Sequence, residues 1–182
     1  MHLETARLVI REWDVEQDAA AAIALYGDPE VTRWIGDKSL NTTVDEVRTR
    51  LQRYRDRAAD SPGLGCWAVA HLDSGMVIGT VLLMPLPDKA NVPSEDIEIG
   101  WHFCRASWGK GYATEAARAV MDYGFETLAL PKLYAVTLLD NERSVRVTQR
   151  LGMTDLGISE AYYGGFRLRL FRRSAHDPEP AS

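Results

Sequence analysis

The sequence predicts one mixed α/β domain over residues 1–173, followed by a disordered tail, 174–182. Three observations lead there. With 182 residues and 46% hydrophobic content, the chain has the size and composition of a single globular domain. Apolar residues alternate with period two in some segments and form helical stripes in others. No repeat, linker or low-complexity stretch divides the two kinds.

Arg7 to Glu12 reads as a first strand, with Leu8 and Ile10 on one face. Asp14 is placed to cap a helix carrying Val15, Ala19, Ala22, Ile23 and Tyr26, which Gly27-Asp28-Pro29 closes. A short helical turn covers Val31 to Trp34. Thr43 and Glu46 have capping-box spacing, ahead of an apolar stripe of Val44, Val47, Leu51, Tyr54 and Ala58. Cys66–Leu72 and Met76–Leu83 flank Ser74-Gly75 as a hairpin. Pro85, Pro87 and Pro93 argue against regular structure until Glu95. A buried strand at Ile97–Phe103, a helix at Tyr112–Leu128 and a strand at Leu133–Leu139 follow. A helix at Glu142–Leu151 then precedes two strands meeting near Gly164-Gly165.

The totals exclude several classes. A domain of this size buries roughly 70% of its unfolded surface and needs no metal or disulfide for stability. Cys66 and Cys104 have no zinc-like spacing and are too few for a disulfide framework. A net charge of −5 argues against nucleic acid as partner. With no signal-like start and no membrane-length apolar run, a soluble, cytoplasmic protein is expected.

The chemistry-bearing segment is Gly109-Lys110-Gly111, at a helix start that follows a strand. Helix starts carry unsatisfied N–H groups and partial positive charge, and glycine lets the backbone approach an anion, so this is a phosphate site. A turn that merely begins a helix is the alternative. A P-loop is absent, because Gly111 follows Lys110 and no earlier glycine has the required spacing. A dinucleotide fingerprint would need glycine where Thr114 stands, and no Cys104–Trp108 insertion after the strand.

Ile97-Glu98-Ile99-Gly100-Trp101 and Trp108-Gly109-Lys110-Gly111-Tyr112-Ala113-Thr114-Glu115-Ala116 together resemble the acetyl-CoA-binding motif of GCN5-related N-acetyltransferases (GNAT). The similarity is to the ribosomal-protein N-terminal acetyltransferase (RimJ/RimL-like) branch. Asp140-Asn141-Glu142-Arg143-Ser144 with Leu151-Gly152-Met153 resembles a second signature of that branch, and Thr5-x-Arg7-Leu8-x-Ile10-Arg11 its first strand. The resemblance implies a single-domain GNAT-like fold: a twisted, mixed, mostly antiparallel sheet with helices on both faces, whose fourth and fifth strands splay around pantetheine. It implies acetyl-CoA as co-substrate, held by Phe103, Trp108, Gly109, Lys110, Gly111, Tyr112, Ala113, Thr114, Asn141 and Ser144, with Asn141 and Ser144 facing the pantetheine and sulfur. The implied acceptor is a primary amine, first of all a protein or peptide N-terminal α-amine. The chain departs from the broad family at Trp108, where Arg or Gln is usual, and at Met153, where Phe is usual. Thr148 stands where many members carry a tyrosine acid.

Transfer to an amine needs a base, oxyanion stabilisation and a proton for the thiolate. Glu98 is the candidate base, since a carboxylate in a buried strand is pushed toward a useful pKa. The alternatives are an Arg-paired carboxylate or an acid that only binds the substrate cation. His102, on the same face, is a second candidate. Ser144 is the candidate proton donor, and backbone N–H groups near Phe103 or Cys104 would hold the oxyanion. Cys104 lacks an activating histidine in sequence, against a ping-pong nucleophile. Trp34, Tyr162 and Tyr163 are candidate acceptor-pocket residues. A homodimer is allowed. The competing functions are a small-molecule amine acetyltransferase, a non-catalytic acyl-CoA-binding domain on the same fold, and a nicotinamide-dependent oxidoreductase.

Overall fold

Strands form where the sequence alternates. In the computed structural model, which describes residues 1–36 and 39–178, β1 (His2–Glu4) pairs antiparallel with β2 (Leu8–Arg11). Leu8 and Ile10 are buried, as their spacing predicts. The remaining strands are β3 (Gly65–His71), β4 (Val77–Pro87), β5 (Pro93–Phe103), β6 (Lys132–Thr137), β7 (Thr154–Ser159) and β8 (Leu168–Ser174). The sheet order is β1-β2-β3-β4-β5-β6-β8-β7. β5 and β6 run parallel, with Glu98 opposite Tyr134, whereas β6–β8, β7–β8 and β2–β3 are antiparallel. The sheet is therefore mixed and mostly antiparallel. A parallel neighbour requires a crossover, which α4 (Tyr112–Asp122) supplies.

The chain groups into two units, Met1–Leu82 with Trp101–Ala119, and Leu83–Gly100 with Val120–Ser182. The first holds α1 (Ala19–Tyr26), α2 (Pro29–Thr32) and α3 (Val44–Asp60). Its core includes Trp13, Tyr26, Leu51 and Trp67. The buried Tyr26 hydroxyl meets Thr80 Oγ1 at 2.6 Å, which satisfies both polar groups. The second unit holds α5 (Glu142–Arg150) and a π turn at Tyr123–Thr127 that continues α4. Among the described residues, no helix is long and apolar enough to cross a membrane.

Three expectations are corrected. β1 was not anticipated: three residues are too few for a periodic signal. The first helix starts at Ala19, not after Asp14. Asp14 Oδ1 instead accepts the N–H groups of Glu16 and Gln17, closing a separate turn. Asp18 receives Arg11 through both guanidinium Nη atoms, at 2.7 and 2.9 Å. Third, the prolines do not interrupt the sheet: β4 runs through Pro85 to Pro87 and β5 begins at Pro93. β4 has eleven residues against seven in β3, so its proline end outruns that partner and owes it no N–H. The two strands turn through Asp88, whose N–H donates to Val92 C=O at 2.8 Å.

Order at the C-terminus also extends past the expected boundary at Ser174. Ser174 N–H donates to Asp177 Oδ2 at 2.8 Å, and Ala175 N–H to Pro131 C=O at 3.0 Å. The rest of the expected tail, residues 179–182, lies outside the described residues.

The capping box forms as the sequence predicts: Thr43 Oγ1 accepts the Glu46 N–H at 3.3 Å, and Glu46 Oε2 accepts the Thr43 N–H at 3.1 Å. Thr43→Ala removes the cap and is expected to cost about 1 kcal/mol. A urea melt should show a lower midpoint with an unchanged slope.

Candidate active site

Each unit carries one half of the chemistry that the sequence points to. In the first, β5 ends at Phe103 and Cys104 precedes a 3₁₀ turn, Arg105–Ser107, that leads to the glycine loop. Gly109 and Gly111 have φ of +75° and +83°, the region where a side chain is strained. A Cβ at Gly109 would meet no heavy atom within 4 Å, so the loop backbone is open to a ligand. The first helical bond of α4 runs from Glu115 N–H to Gly111 C=O. That leaves the N–H groups of Tyr112, Ala113 and Thr114 without an intrahelical acceptor. Thr114 Oγ1 is buried with no hydrogen-bond partner. Lys110 is exposed beside them. Converging donors, a helix dipole and a cation suit a pyrophosphate.

A carboxylate at Glu115, on the first turn, would repel such an anion if left uncompensated. Arg7 neutralises it. Its Nη2 lies 2.6 Å from Glu115 Oε2 and its Nε donates to the same oxygen at 2.7 Å. The Arg7 N–H and Thr5 Oγ1 both donate to Glu115 Oε1, at 3.0 and 2.6 Å. Partial burial would raise the Glu115 carboxyl, but these donors hold it below the usual range. Arg7 Nη1 also donates to Lys110 C=O at 3.1 Å, and the guanidinium stacks on Tyr112 with Cζ 4.6 Å from the ring centre. One side chain thus fastens the loop and the helix start.

In the second unit Glu98 sits on β5, buried, facing Tyr134. Tyr134 forms an apolar cluster with Leu86 and Leu170, against which Val136, Tyr162 and Tyr163 pack. Burial pushes the Glu98 carboxyl up to about 7, opposed by a short hydrogen bond donated by the Tyr163 hydroxyl. Tyr163 itself has φ of +50°. That conformation costs a side-chain-bearing residue about 1–2 kcal/mol, and here it aims the hydroxyl at the carboxylate. Two residues earlier, Asp96 is treated differently: Lys132 Nζ lies 2.9 Å from Oδ1, and Tyr162 OH donates to Oδ2 at 2.7 Å.

Also in the second unit, Asn141 caps α5, its Oδ1 accepting the Ser144 N–H at 3.2 Å. Thr148 is fully buried and its hydroxyl donates to Val145 C=O at 2.8 Å, so it does not substitute for a tyrosine acid. In the first unit, Cys104 N–H is committed to Ile78 C=O at 3.0 Å, which corrects its proposed oxyanion role. Its Sγ contacts Ser107 Oγ at 3.1 Å, not a histidine. Phe103 C=O accepts Trp108 Nε1 at 2.8 Å, which ties Trp108 back to β5. His102 packs edge-on to Tyr26, 6.3 Å between ring centres, and Trp34 lies under Arg33.

The chain matches the acetyltransferase (GNAT) domain model over residues 7–154. It is 30% identical over 160 residues to the uncharacterized N-acetyltransferase YoaA of Bacillus subtilis, covering 88% of this chain and 86% of the relative. It is 37% identical over 71 residues to spermidine N(1)-acetyltransferase of Escherichia coli K12, covering 35% and 38% of the two chains. The fold superposes on ribosomal-protein-S5-alanine acetyltransferase from Vibrio fischeri with a TM-score of 0.73 at 18% identity, covering 99% of this chain and 100% of that one. The chain belongs to the GNAT family of acetyltransferases. Acetyl-CoA is the co-substrate of that family, and the open loop, free N–H groups and unpaired Thr114 hydroxyl fit its pyrophosphate.

Sequence reading missed the Arg7–Glu115 tie, the Asp96–Lys132 pair and the grip of Tyr163 on Glu98. Only the tie left a signal, an acid on the first turn of a helix expected to bind phosphate.

Raising a carboxyl above its ordinary 4.5 makes the folded state bind the extra proton. Stability therefore falls as pH rises from there through about 7. Glu98→Gln is expected to recover about 2–3 kcal/mol of the loss between roughly pH 5 and pH 8, read from urea melts at both. Tyr163→Phe removes a donor to the charged form and should move the wild-type window upward.

Proposed function

We propose that the chain transfers the acetyl group of acetyl-CoA directly to a primary amine, and that the acceptor is a protein or peptide N-terminal α-amine. The observation that carries this reading is the buried Glu98 carboxyl, held near 7. Free α-amines have a pKa near 7.8 and lysine side chains near 10.4, so roughly 10% of the former but under ~0.1% of the latter is neutral at pH 7. A base near 7 is matched to the α-ammonium and falls far short of lysine. Glu98 takes the ammonium proton, and the nitrogen lone pair forms the new N–C bond as the C–S bond breaks. Ser144, at the capped start of α5, delivers or relays a proton to the departing thiolate and takes in exchange the second proton that the acylated nitrogen gives up, so its hydroxyl is restored. Gly109 to Thr114 hold the pyrophosphate. A cytoplasmic setting suits the two free thiols, Cys66 and Cys104. For a homodimer, the β7 edge offers exposed Leu156 and Ile158.

A small amine is the second reading, favoured by the partial match to a spermidine acetyltransferase. The deciding assay offers lysine-free peptides with free or blocked N-termini, lysine peptides with blocked N-termini, and small amines. Acetylation of the free N-termini is expected, and acetylation confined to lysine or small amines would overturn the α-amine assignment.

Gly111→Val places a β-branched residue at a φ of +83° on the cofactor loop. Calorimetric titration with acetyl-CoA should show binding lost in a protein that still melts cooperatively. Unchanged affinity would remove the loop from the cofactor site.

A further inference from the structure

The face of the sheet that carries Glu98 also carries a charge arrangement that bears on which amines the protein accepts. This inference rests on the proposal that an acceptor amine is deprotonated at Glu98. Asp96 and Glu98 are two residues apart on β5 and so project from the same face, with Cα atoms separated by roughly 6–7 Å. Unmodified, such a pair would suit a short diamine, one ammonium to each carboxylate.

The two are not equivalent. Asp96 is occupied: Lys132 Nζ lies 2.9 Å from one oxygen and the Tyr162 hydroxyl donates to the other at 2.7 Å. Lys132 is held in place, with Nζ donating to Tyr134 OH at 3.1 Å and lying 5.1 Å from that ring centre. Partial burial would raise the Asp96 carboxyl, but Lys132 and Tyr162 hold it below the usual range. Three other carboxylates of the second unit are also engaged. Asp88 Oδ1 accepts the N–H groups of Ala90 and Val92, Asp155 pairs with Arg169 at 2.6 Å, and Glu160 lies 3.7 Å from Arg167. Glu98 receives the neutral Tyr163 hydroxyl instead of a cation. A further cation, the exposed Arg172, stands opposite Tyr134 on β8.

We propose that Lys132 is a specificity-determining residue: by occupying Asp96 it leaves Glu98 as the carboxylate offered to an acceptor, so the protein selects amines with one ammonium and rejects short diamines and polyamines. Rejection has two parts. A second ammonium finds no uncompensated carboxylate at the Asp96 position, and it meets the like charge of Lys132. An N-terminal α-amine followed by neutral residues fits this field, whereas spermidine does not.

The test compares a lysine-free peptide with a free N-terminus, a short alkyl monoamine, 1,3-diaminopropane and spermidine. It uses the wild type, Lys132→Gln and Lys132→Gln/Asp96→Asn, reading kcat/KM for each amine and calorimetric amine binding to the CoA-loaded protein. Folding of every variant is checked by the thermal shift that acetyl-CoA produces. The wild type is expected to prefer monoamines. Lys132→Gln should raise the diamine-to-monoamine ratio by about fivefold, the size of a partly exposed ion pair. Adding Asp96→Asn should bring the ratio back down toward the wild-type value. A wild type that prefers diamines, or a ratio indifferent to Lys132→Gln in a folded protein, overturns the proposal. If small monoamines are acetylated and peptide N-termini are not, the α-amine reading fails while this inference stands. If no amine is acetylated, the binding ratio still decides it.

Discussion

The glycine loop and helix start of the first unit depend on the contact between Arg7 and Glu115. An ion pair with a half-exposed arginine contributes little to stability, about 0–1 kcal/mol in comparable cases, so its importance is geometric. Five polar contacts from Thr5 and Arg7 converge on one carboxylate and one loop carbonyl, joining chain segments 103 or more residues apart. They act where the backbone is least constrained. Gly109 and Gly111 provide the left-handed turns of the proposed phosphate loop, and glycine loses more conformational freedom on ordering than any other residue. The arginine offsets that freedom by holding the Lys110 carbonyl from outside the loop. It also cancels the charge of Glu115, whose carboxylate would otherwise oppose an anionic ligand.

The second unit treats two acids on one strand unequally. Asp96 is given a cation and a hydroxyl and stays ionised. Glu98 is given an apolar cluster and a single hydroxyl, and its proton is held to near neutrality. Sequence spacing places both on the same face, but cannot say which one is desolvated. That is decided by residues from β6 and from the turn before β8, and by a strained backbone at Tyr163 that only tertiary contacts can sustain.

Legibility in the sequence follows the range of the interaction. The capping box of α3 and the alternation of β2 are local, so they could be read directly. The glycine loop was legible because positive φ selects its residue type. β1 was too short to show a period, and the prolines of β4 misled because their tolerance depends on how far the neighbouring strand extends. Asp14 and Asp18 are equally good caps by residue type. Asp18 precedes α1 with its carboxylate spent on Arg11 from β2, a long-range contact that residue type does not announce. The tie between Arg7 and Glu115 spans 108 residues and has no local signature beyond the oddity of the acid.

Thr148 makes the acid requirement sharper. A tyrosine there would offer a hydroxyl from the interior of α5, but the threonine hydroxyl is spent on Val145 C=O within its own helix. In the proposed mechanism a proton for the thiolate would therefore come from elsewhere. Ser144 offers a hydroxyl from the first turn of the same helix, where the Asn141 cap fixes its backbone. A serine hydroxyl is a weaker acid than a phenol, so a site built this way gives up some acid catalysis. The loss is smallest when the other proton transfer is easy. A base near 7 facing an α-ammonium near 7.8 meets that condition and one facing a lysine does not. The missing tyrosine and the tuned glutamate are thus consistent with the same acceptor, and each would be harder to accommodate if the acceptor were a lysine side chain.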